Sequence, residues 1–477
     1  MSERELLVGP FNRVEGDLEL RLEISGDRVQ AAYANSPLFR GFEMMLLGKA
    51  PQDALTLTPR ICGICSISQS AAAARALAAA QGVSPTENGA RAAQIIHAVE
   101  NLADHITHFA LFFMPDFARA DYAGRDWHGA VTERFLATKG SMAHATLSAR
   151  AELMHVLGLL AGKWPHTLAI QPGGVTKAPT ARDKARIALS LAGFRRFLET
   201  DLFGAPVEAF AELASVEALM AWEPGDAGLF LRIARDLELA EMGAGPGRYL
   251  SFGAYAGDAG PAFAQGVWDG ALRPFDPADV VEDLSHAWML GEDAHPQAGQ
   301  TRPDEDMAAP AYSWCKAPRL AGQVAETGAF ARQVVDGHPL ARALAASGGS
   351  TVLSRVAGRL LEVARTQILL EEWTRALDPG AVFMVQGETP REGEGVGLVE
   401  AARGALGHWL RIEKGRIAGY QIVAPTTWNF SPRDRAGQPG AVEAALAGAP
   451  VGPAEETPIS VQHIVRSFDP CMVCTVH

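Results

Sequence analysis

The 477-residue chain predicts a mostly α fold with small peripheral β-sheets, an α+β arrangement. Three features lead there. Much of the stretch from about 61 to 380 carries apolar residues at helical spacing, the first 40 residues contain strand-like alternation, and the pattern after 380 breaks into short strands and turns. No internal repeat at a period of about 20–50 residues is present, so solenoid and propeller architectures drop out.

Leu18, Leu20, Leu22 and Ile24 alternate with polar neighbours, and Gly26-Asp27 is a turn signal, so the N-terminal segment reads as strands. Ser66 to Gln81 is alanine-rich without interior Gly or Pro and reads as helix. Residues 90–114 give the clearest helix: Ile95, Val99, Leu102, Ile106, Phe109 and Phe113 recur at spacings of four and three and form one buried face. A second stripe of His97, Asn101, Asp104, His108 and Phe112 runs along the same helix. Further helical patterns cover about 130–162, 181–215, 226–240 and 351–377. Residues 293–312 are polar and rich in Pro, Gly and Asp, which predicts a surface loop. A helix starts again near 460. One unit is expected: strands and lead-in over 1–60, a helical body over 61–380, and C-terminal strands and turns over 381–477.

A formal charge of −13 argues against nucleic acid and against an acidic membrane surface, since both need clustered Lys and Arg. No apolar run approaches the roughly 18 residues that span a bilayer, so no membrane insertion is expected. The opening Met-Ser-Glu-Arg-Glu lacks a basic region followed by an apolar stretch. The cytoplasm is therefore the expected compartment, unless a folded partner carries an export signal for both.

Five cysteines are too few for a disulfide scaffold, yet four form two C-x-x-C pairs, Cys62/Cys65 and Cys471/Cys474, some 400 residues apart. Two intervening residues let both sulfurs face one ion, and thiolates select Zn, Fe or Ni over Mg or Ca. Spacing alone leaves a closed structural zinc site open beside a redox metal; a thioredoxin-like pair is disfavoured, because neither motif sits in a βαβ unit. The flanks differ from a zinc knuckle: Arg60-Ile61-Cys62-Gly63-Ile64-Cys65 and Asp469-Pro470-Cys471-Met472-Val473-Cys474-Thr475-Val476-His477. These resemble the paired signatures of nickel–iron hydrogenase large subunits. Arg13-Val14-Glu15-Gly16, Phe39-Arg40-Gly41-Phe42-Glu43, Gly173-Gly174-Val175-Thr176, Tyr312-Ser313-Trp314, Lys316-Ala317-Pro318-Arg319, Glu400-Ala401-Ala402-Arg403-Gly404 and Pro425-Thr426-Thr427-Trp428-Asn429 extend the likeness along the chain in the family's order.

The resemblance implies the multihelical large-subunit fold and an enzyme that cleaves dihydrogen heterolytically. It implies Cys62 and Cys471 as terminal nickel ligands, Cys65 and Cys474 as nickel–iron bridges, and cyanide and carbon monoxide on the iron. Glu15 matches a proton-relay carboxylate; its alternative is a solvated charge at a strand end. Arg403 matches an arginine that donates to a cyanide nitrogen, Thr426 a hydroxyl for the other cyanide, and Asp104 and Asp469 the carboxylates that hold the arginine. Their alternatives are a helix-end arginine, a turn hydroxyl, a helix-surface charge and a turn residue. Glu43, the backbone carbonyl near Ile422 and His477 match a separate magnesium site. His108 reads equally as a buried structural histidine, and Cys315 as a small buried hydrophobe. Too few cysteines remain for iron–sulfur clusters, which generally need four ligands each, so a small subunit carrying them is implied.

Gln69, Asp17 and Ala402 stand where the hydrogen-oxidising enzymes commonly have His, His and Pro, and the sequence stops at His477, where precursors carry a further peptide. Ile64 and Phe112 occupy gas-channel positions that are often Val and Leu. This combination resembles the regulatory, hydrogen-sensing branch, which implies a sensor kinase or redox partner. Two other readings stay open: an uptake hydrogenase feeding respiration, and a metal-free relative of the complex I large subunit, against which four retained cysteines argue.

Overall fold

In the computed structural model, which describes residues 3–257 and 260–477, the N-terminal alternation becomes an antiparallel sheet of β1 (Glu3–Val8), β2 (Glu19–Ser25) and β3 (Arg28–Asn35). Leu18, Leu20, Leu22 and Ile24 are buried on one face, and Ser25 pairs with Arg28 across the Gly26-Asp27 turn.

Helix α1 (Ser66–Gln81) begins directly after Cys65 and stops at Gly82, whose φ of 63° is left-handed. Its alanines allow an unusually close approach. A Cβ added to Gly395 or Gly397 would lie 1.9 Å from the carbonyl oxygens of Ala76 and Ala72. Those glycines belong to a sheet strand introduced below, so backbone packs on backbone with no side chain between. Helix α2 (Glu87–Thr107) is capped by Thr86, whose hydroxyl accepts from the Gly89 N–H. Both of its stripes are buried: the apolar one, and His97, Asn101, Asp104 and His108. The second stripe is thus an interior polar face, and the backbone widens into a π-type turn over His108–Phe113.

Two expected helices are broken. The 130–162 pattern splits into His128–Phe135 and α3 (Ser141–Ala161), where Gly140 packs so tightly that a Cβ would meet the Arg134 carbonyl oxygen at 2.3 Å. The 181–215 pattern yields α4 (Ala181–Phe197), a wide turn over Leu198–Leu202 and a short helix, Val207–Ala211, restarted after Pro206. The helical stretch near 226–240 forms Gly225–Asp236.

Strands are not confined to the chain ends. β4 (Tyr249–Gly257) and β5 (Gly260–Trp268) form an antiparallel pair in the middle of the chain. The first seven residues of β4 are buried on both faces, so the alternation that marks a half-exposed strand is absent. Helix α5 (Val352–Ala376) matches its pattern. The C-terminal region holds strands longer than expected, β6 (Gly393–Ala401), β7 (Gly404–Glu413) and β8 (Arg416–Val423), in one antiparallel meander, followed by α6 (Ile459–Phe468). Residues 293–312 contain no helix or regular strand, although Thr301 turns inward to hydrogen-bond Glu43.

Among the described residues a smaller hydrophobic cluster gathers Leu250, Phe252, Trp409 and Trp428, and the larger of the two runs from Val8 to Cys474 and includes both cysteine pairs. The chain ends meet there: Glu15 forms a parallel bridge with Cys471, and the Met472 N–H donates to the Glu15 carbonyl at 2.7 Å. No helix among the described residues is long and apolar enough to cross a membrane.

Candidate metal centre

Cys62 and Cys65 occupy the turn that feeds α1, while Cys471 and Cys474 follow α6 after a reversal at Asp469, φ 58°. The sulfurs converge: Cys62 to Cys471 is 3.5 Å, Cys65 to Cys474 is 3.0 Å and Cys471 to Cys474 is 3.2 Å. All four Sγ atoms lie within 4.8 Å of one another, buried, with no disulfide among them. Hydrogen bonding between the sulfurs, first from Cys471, holds the Cys62 thiol well below its ordinary pKa and drives Cys65 well above. Four thiolates so close repel one another unless a cation sits between them, and an all-sulfur set suits a soft or borderline metal. The residues present therefore fit a thiolate-bound metal centre.

Three supports for this cluster were assigned no site role from the sequence, although Arg40 stands within a quoted motif. Glu100 accepts from the Ile67 N–H at 2.8 Å and the Ser68 N–H at 2.9 Å, anchoring the start of α1, and from Trp164 Nε1 at 2.9 Å. Burial pushes its carboxyl up to about 8. It sits three residues after His97 and four before Asp104, and that register on the polar stripe was its available signal. Arg40 donates to the Ile61 carbonyl at 2.7 Å and also to the Val473 carbonyl, tying the two cysteine loops together. Arg359 donates to the Ser467 and Phe468 carbonyls at 2.6 and 2.9 Å, fixing the end of α6.

Arg403, buried in the turn between β6 and β7, reaches both expected carboxylates. Its Nη1 and Nη2 meet Asp104 at 2.5 and 3.2 Å, Nη2 meets Asp469 Oδ1 at 3.1 Å, and Nε donates to the Asp469 carbonyl at 2.9 Å. Burial outweighs Arg403 and raises the Asp104 carboxyl; at Asp469 burial is the largest influence, but Arg403, His108 and Arg359 together hold it down. The Thr426 hydroxyl accepts from the Cys471 N–H at 3.1 Å, which leaves its own proton free to donate. Glu15 is half-buried, and burial, then the neighbouring Cys62, raises its carboxyl against Arg403 and Arg40.

The sequence profile described as nickel-dependent hydrogenase matches residues 40–123 and 137–477. The chain belongs to that family. It is 31% identical to the periplasmic [NiFeSe] hydrogenase large subunit of Desulfomicrobium baculatum, over 99% of this chain and 95% of that one. The hydrogenase-2 large chain of Escherichia coli K12 is 27% identical, over 100% of this chain and 97% of its own. A solved Dm. baculatum [NiFeSe]-hydrogenase chain superposes with a TM-score of 0.86 at 28% identity, covering 100% of both. The chain is thus a hydrogenase large subunit with the large-subunit fold, and its relatives are nickel-dependent enzymes of hydrogen oxidation. Selenium appears in two of those names; this hydrogenase carries cysteine at all four clustered positions.

A second cluster lies beside the hydrogenase centre. The Ile422 N–H donates to Glu43 Oε1 at 2.7 Å, while His477 Nε2 lies 2.7 Å from the Ile422 carbonyl and 3.3 Å from Glu43 Oε1. The imidazole is thus within 3.3 Å of both a carboxylate and a carbonyl oxygen, and oxygen ligands of these two kinds suit a hard cation. Lys316, which the motifs did not single out as a site residue, is 3.4 Å from Glu43, 3.0 Å from Glu282 and 2.7 Å from Gln421. Burial alone would raise the Glu43 carboxyl; Lys316 and His477 outweigh it and bring it to about 2. Gln69 Oε1 accepts from His408 Nε2 at 2.8 Å, and His408 Nδ1 meets the Tyr420 hydroxyl at 2.8 Å. His108 is buried and hydrogen-bonds the Arg466 carbonyl at 2.6 Å. Cys315 is buried apart from the four, its thiol donating to the Lys316 carbonyl at 3.1 Å.

Proposed function

We propose that this subunit splits dihydrogen heterolytically at a nickel–iron centre held by Cys62, Cys65, Cys471 and Cys474. The observation that carries the reading is the convergence of four buried sulfurs, unoxidised, within 4.8 Å. Cys62 and Cys471 would hold the nickel as terminal ligands, and Cys65 and Cys474, the closest pair at 3.0 Å, would be shared with the iron. When bound, the centre, with cyanide and carbon monoxide on its iron, supplies the Lewis acidity that polarises dihydrogen.

The chain's own residues do the rest. Glu15 accepts the proton at its carboxylate and passes it outward, a task that suits a carboxyl raised by burial. Asp104 and Asp469 hold the Arg403 fork so that its remaining Nη1 proton is left for a cyanide nitrogen. Thr426 offers its hydroxyl to the other cyanide while bracing the Cys471 backbone. Glu43, the Ile422 carbonyl and His477 hold magnesium, an oxygen-preferring ion that fills its remaining positions with water.

Electrons leave through an iron–sulfur small subunit, since Cys315 alone remains outside the tetrad. Within the family, the finer reading is hydrogen sensing toward a kinase or redox partner. Gln69, Asp17, Ala402 and the bulkier Ile64 and Phe112 support it. The cytoplasm is the proposed compartment, and cell fractionation tests it against the periplasm named for the Dm. baculatum relative: recovery of the subunit in the periplasmic fraction overturns it. Infrared spectroscopy of the purified large–small complex tests the centre: sharp cyanide and carbon monoxide bands that shift under hydrogen, with equal nickel and iron, are expected. Zinc without such bands overturns it. Slow turnover supports the sensor, and fast turnover replaces it with an uptake enzyme.

A further inference from the structure

A second cavity, of about 340 Å³, opens between α1, the first half of α2 and β4, away from the four sulfurs. Its apolar wall includes Ala71 and Ala74 from α1, Ala90 and Ala93 from α2, and Ile170, while Ser84, Gln94 and Gln171 add polar groups. Arg75 is the one formally charged side chain among the described residues that line it. Among the buried arginines of this body, Arg359 donates to carbonyls alone, whereas others carry carboxylates: Arg332 has Glu362 and Glu400, Arg355 has Glu326, and Arg403 has Asp104 and Asp469. Arg75 has none among the described residues, and its hydrogen bond goes to a neutral group, the Leu398 carbonyl, 2.6 Å from Nη1. Loss of water around it lowers its pKa only to about 10, so it stays charged at neutral pH. His97, also in the wall, is held neutral by burial and by Arg75, with its pKa near 3. Among the described residues the cavity therefore carries a single positive charge with no carboxylate beside it, an arrangement that an anion relieves.

We propose that this cavity binds a small aliphatic monocarboxylate, its carboxylate on Arg75 and its tail among the alanine walls. A guanidinium fork matches the two oxygens of a carboxylate, and one negative charge balances one positive charge. A doubly charged phosphate would leave net negative charge in an apolar enclosure. The volume is at the small end of ligand pockets, which suits an acid of a few carbons. Hydrogen bonds link the cavity wall to the support of the metal cluster. His97 Nε2 is 3.0 Å from the Ser68 hydroxyl, and Ser68 hydrogen-bonds Glu100, which anchors the helix start after Cys65.

The test is calorimetric titration of the purified large–small complex with butyrate, with butanol and inorganic phosphate as comparisons. Saturable binding of one butyrate per large subunit is expected, with butanol failing to bind. Arg75→Met should weaken butyrate at least tenfold, and Ala93→Leu, which fills the apolar wall and keeps the arginine, should weaken it as well. The second variant decides the matter if the first does not fold. Absence of saturable butyrate binding, binding unchanged by the variant that folds, or tighter binding of phosphate than of butyrate overturns the proposal.

Discussion

Arg403 makes four hydrogen bonds, three to carboxylate oxygens and one to a carbonyl, which together fix the plane of its guanidinium. A lysine keeps the charge and loses that plane. Arg403→Lys is therefore expected to lower hydrogen oxidation by about 100- to 1,000-fold, the size of losing one preorganised donor in a dry site, with nickel and iron contents unchanged. Assays of turnover beside metal analysis check this; loss of metal in step with activity would make the arginine a folding element instead. Glu15→Gln keeps the shape and removes the carboxylate that can take up and release a proton. A fall of about 100-fold or more in turnover is expected, with cyanide and carbon monoxide bands still present in the infrared spectrum. At this scale the motifs named Arg403, Asp104 and Asp469 as partners. They did not name Glu100, Arg40 or Lys316 as site residues, because a lone charged residue in sequence looks the same whether it caps a helix, ties two loops or faces solvent.

At the scale of elements, the contact between α1 and β6 depends on missing side chains. Gly397→Ala places a methyl 1.9 Å from the Ala72 carbonyl, so the helix must move or the strand must bend. An overpacking cost of about 1–3 kcal/mol is expected, read as a lower melting temperature, together with reduced nickel content because α1 starts at Cys65. Normal stability and metal loading in that variant would mean the two elements slide freely. Glu443 gives an element-scale pH effect. It ties the short helix Ala441–Leu446 to β3 through the Ala34 N–H at 2.9 Å and accepts from Tyr312, and burial raises its carboxyl from 4.5 to about 7. Below pH 4.5 it is protonated whether the chain is folded or not. As pH rises toward 7 the unfolded chain ionises first, so this group subtracts stability over that window and no more above it. Glu443→Gln cannot ionise, so its melting temperature relative to the natural chain should climb between pH 4.5 and 7 and then level off. A difference that is flat or falls across that range refutes the assignment. Helices with one strong apolar stripe were legible at this scale. The β4–β5 pair was not, because two-sided burial erases the period of two.

For the whole molecule, the decisive feature is that sulfurs 409 residues apart in sequence touch. The segments carrying Glu15 and Cys471 are bridged, so a metal bound to both pairs clamps both ends of the chain to one core. Metal-free protein is expected to melt lower than the loaded subunit and to be cleaved first by protease near residues 12–16 and after Phe468, with loading restoring resistance. Equal melting with and without metal would show that the core holds the ends unaided. The sequence by itself determined the donor set and its chemistry: four thiolates in two pairs, the polar stripe on α2, and the order of motifs that marks a hydrogenase large subunit. These are local, since spacing of two residues and periods near 3.6 are set by the backbone alone. Only the tertiary structure decided which donors meet, that Arg403 is clamped between Asp104 and Asp469, that Lys316 stands beside Glu43 and His477, and that Arg75 faces a cavity with no carboxylate beside it among the described residues. Such pairings join residues tens to hundreds of positions apart, and no local periodicity records them; packing of one shared core brings them together.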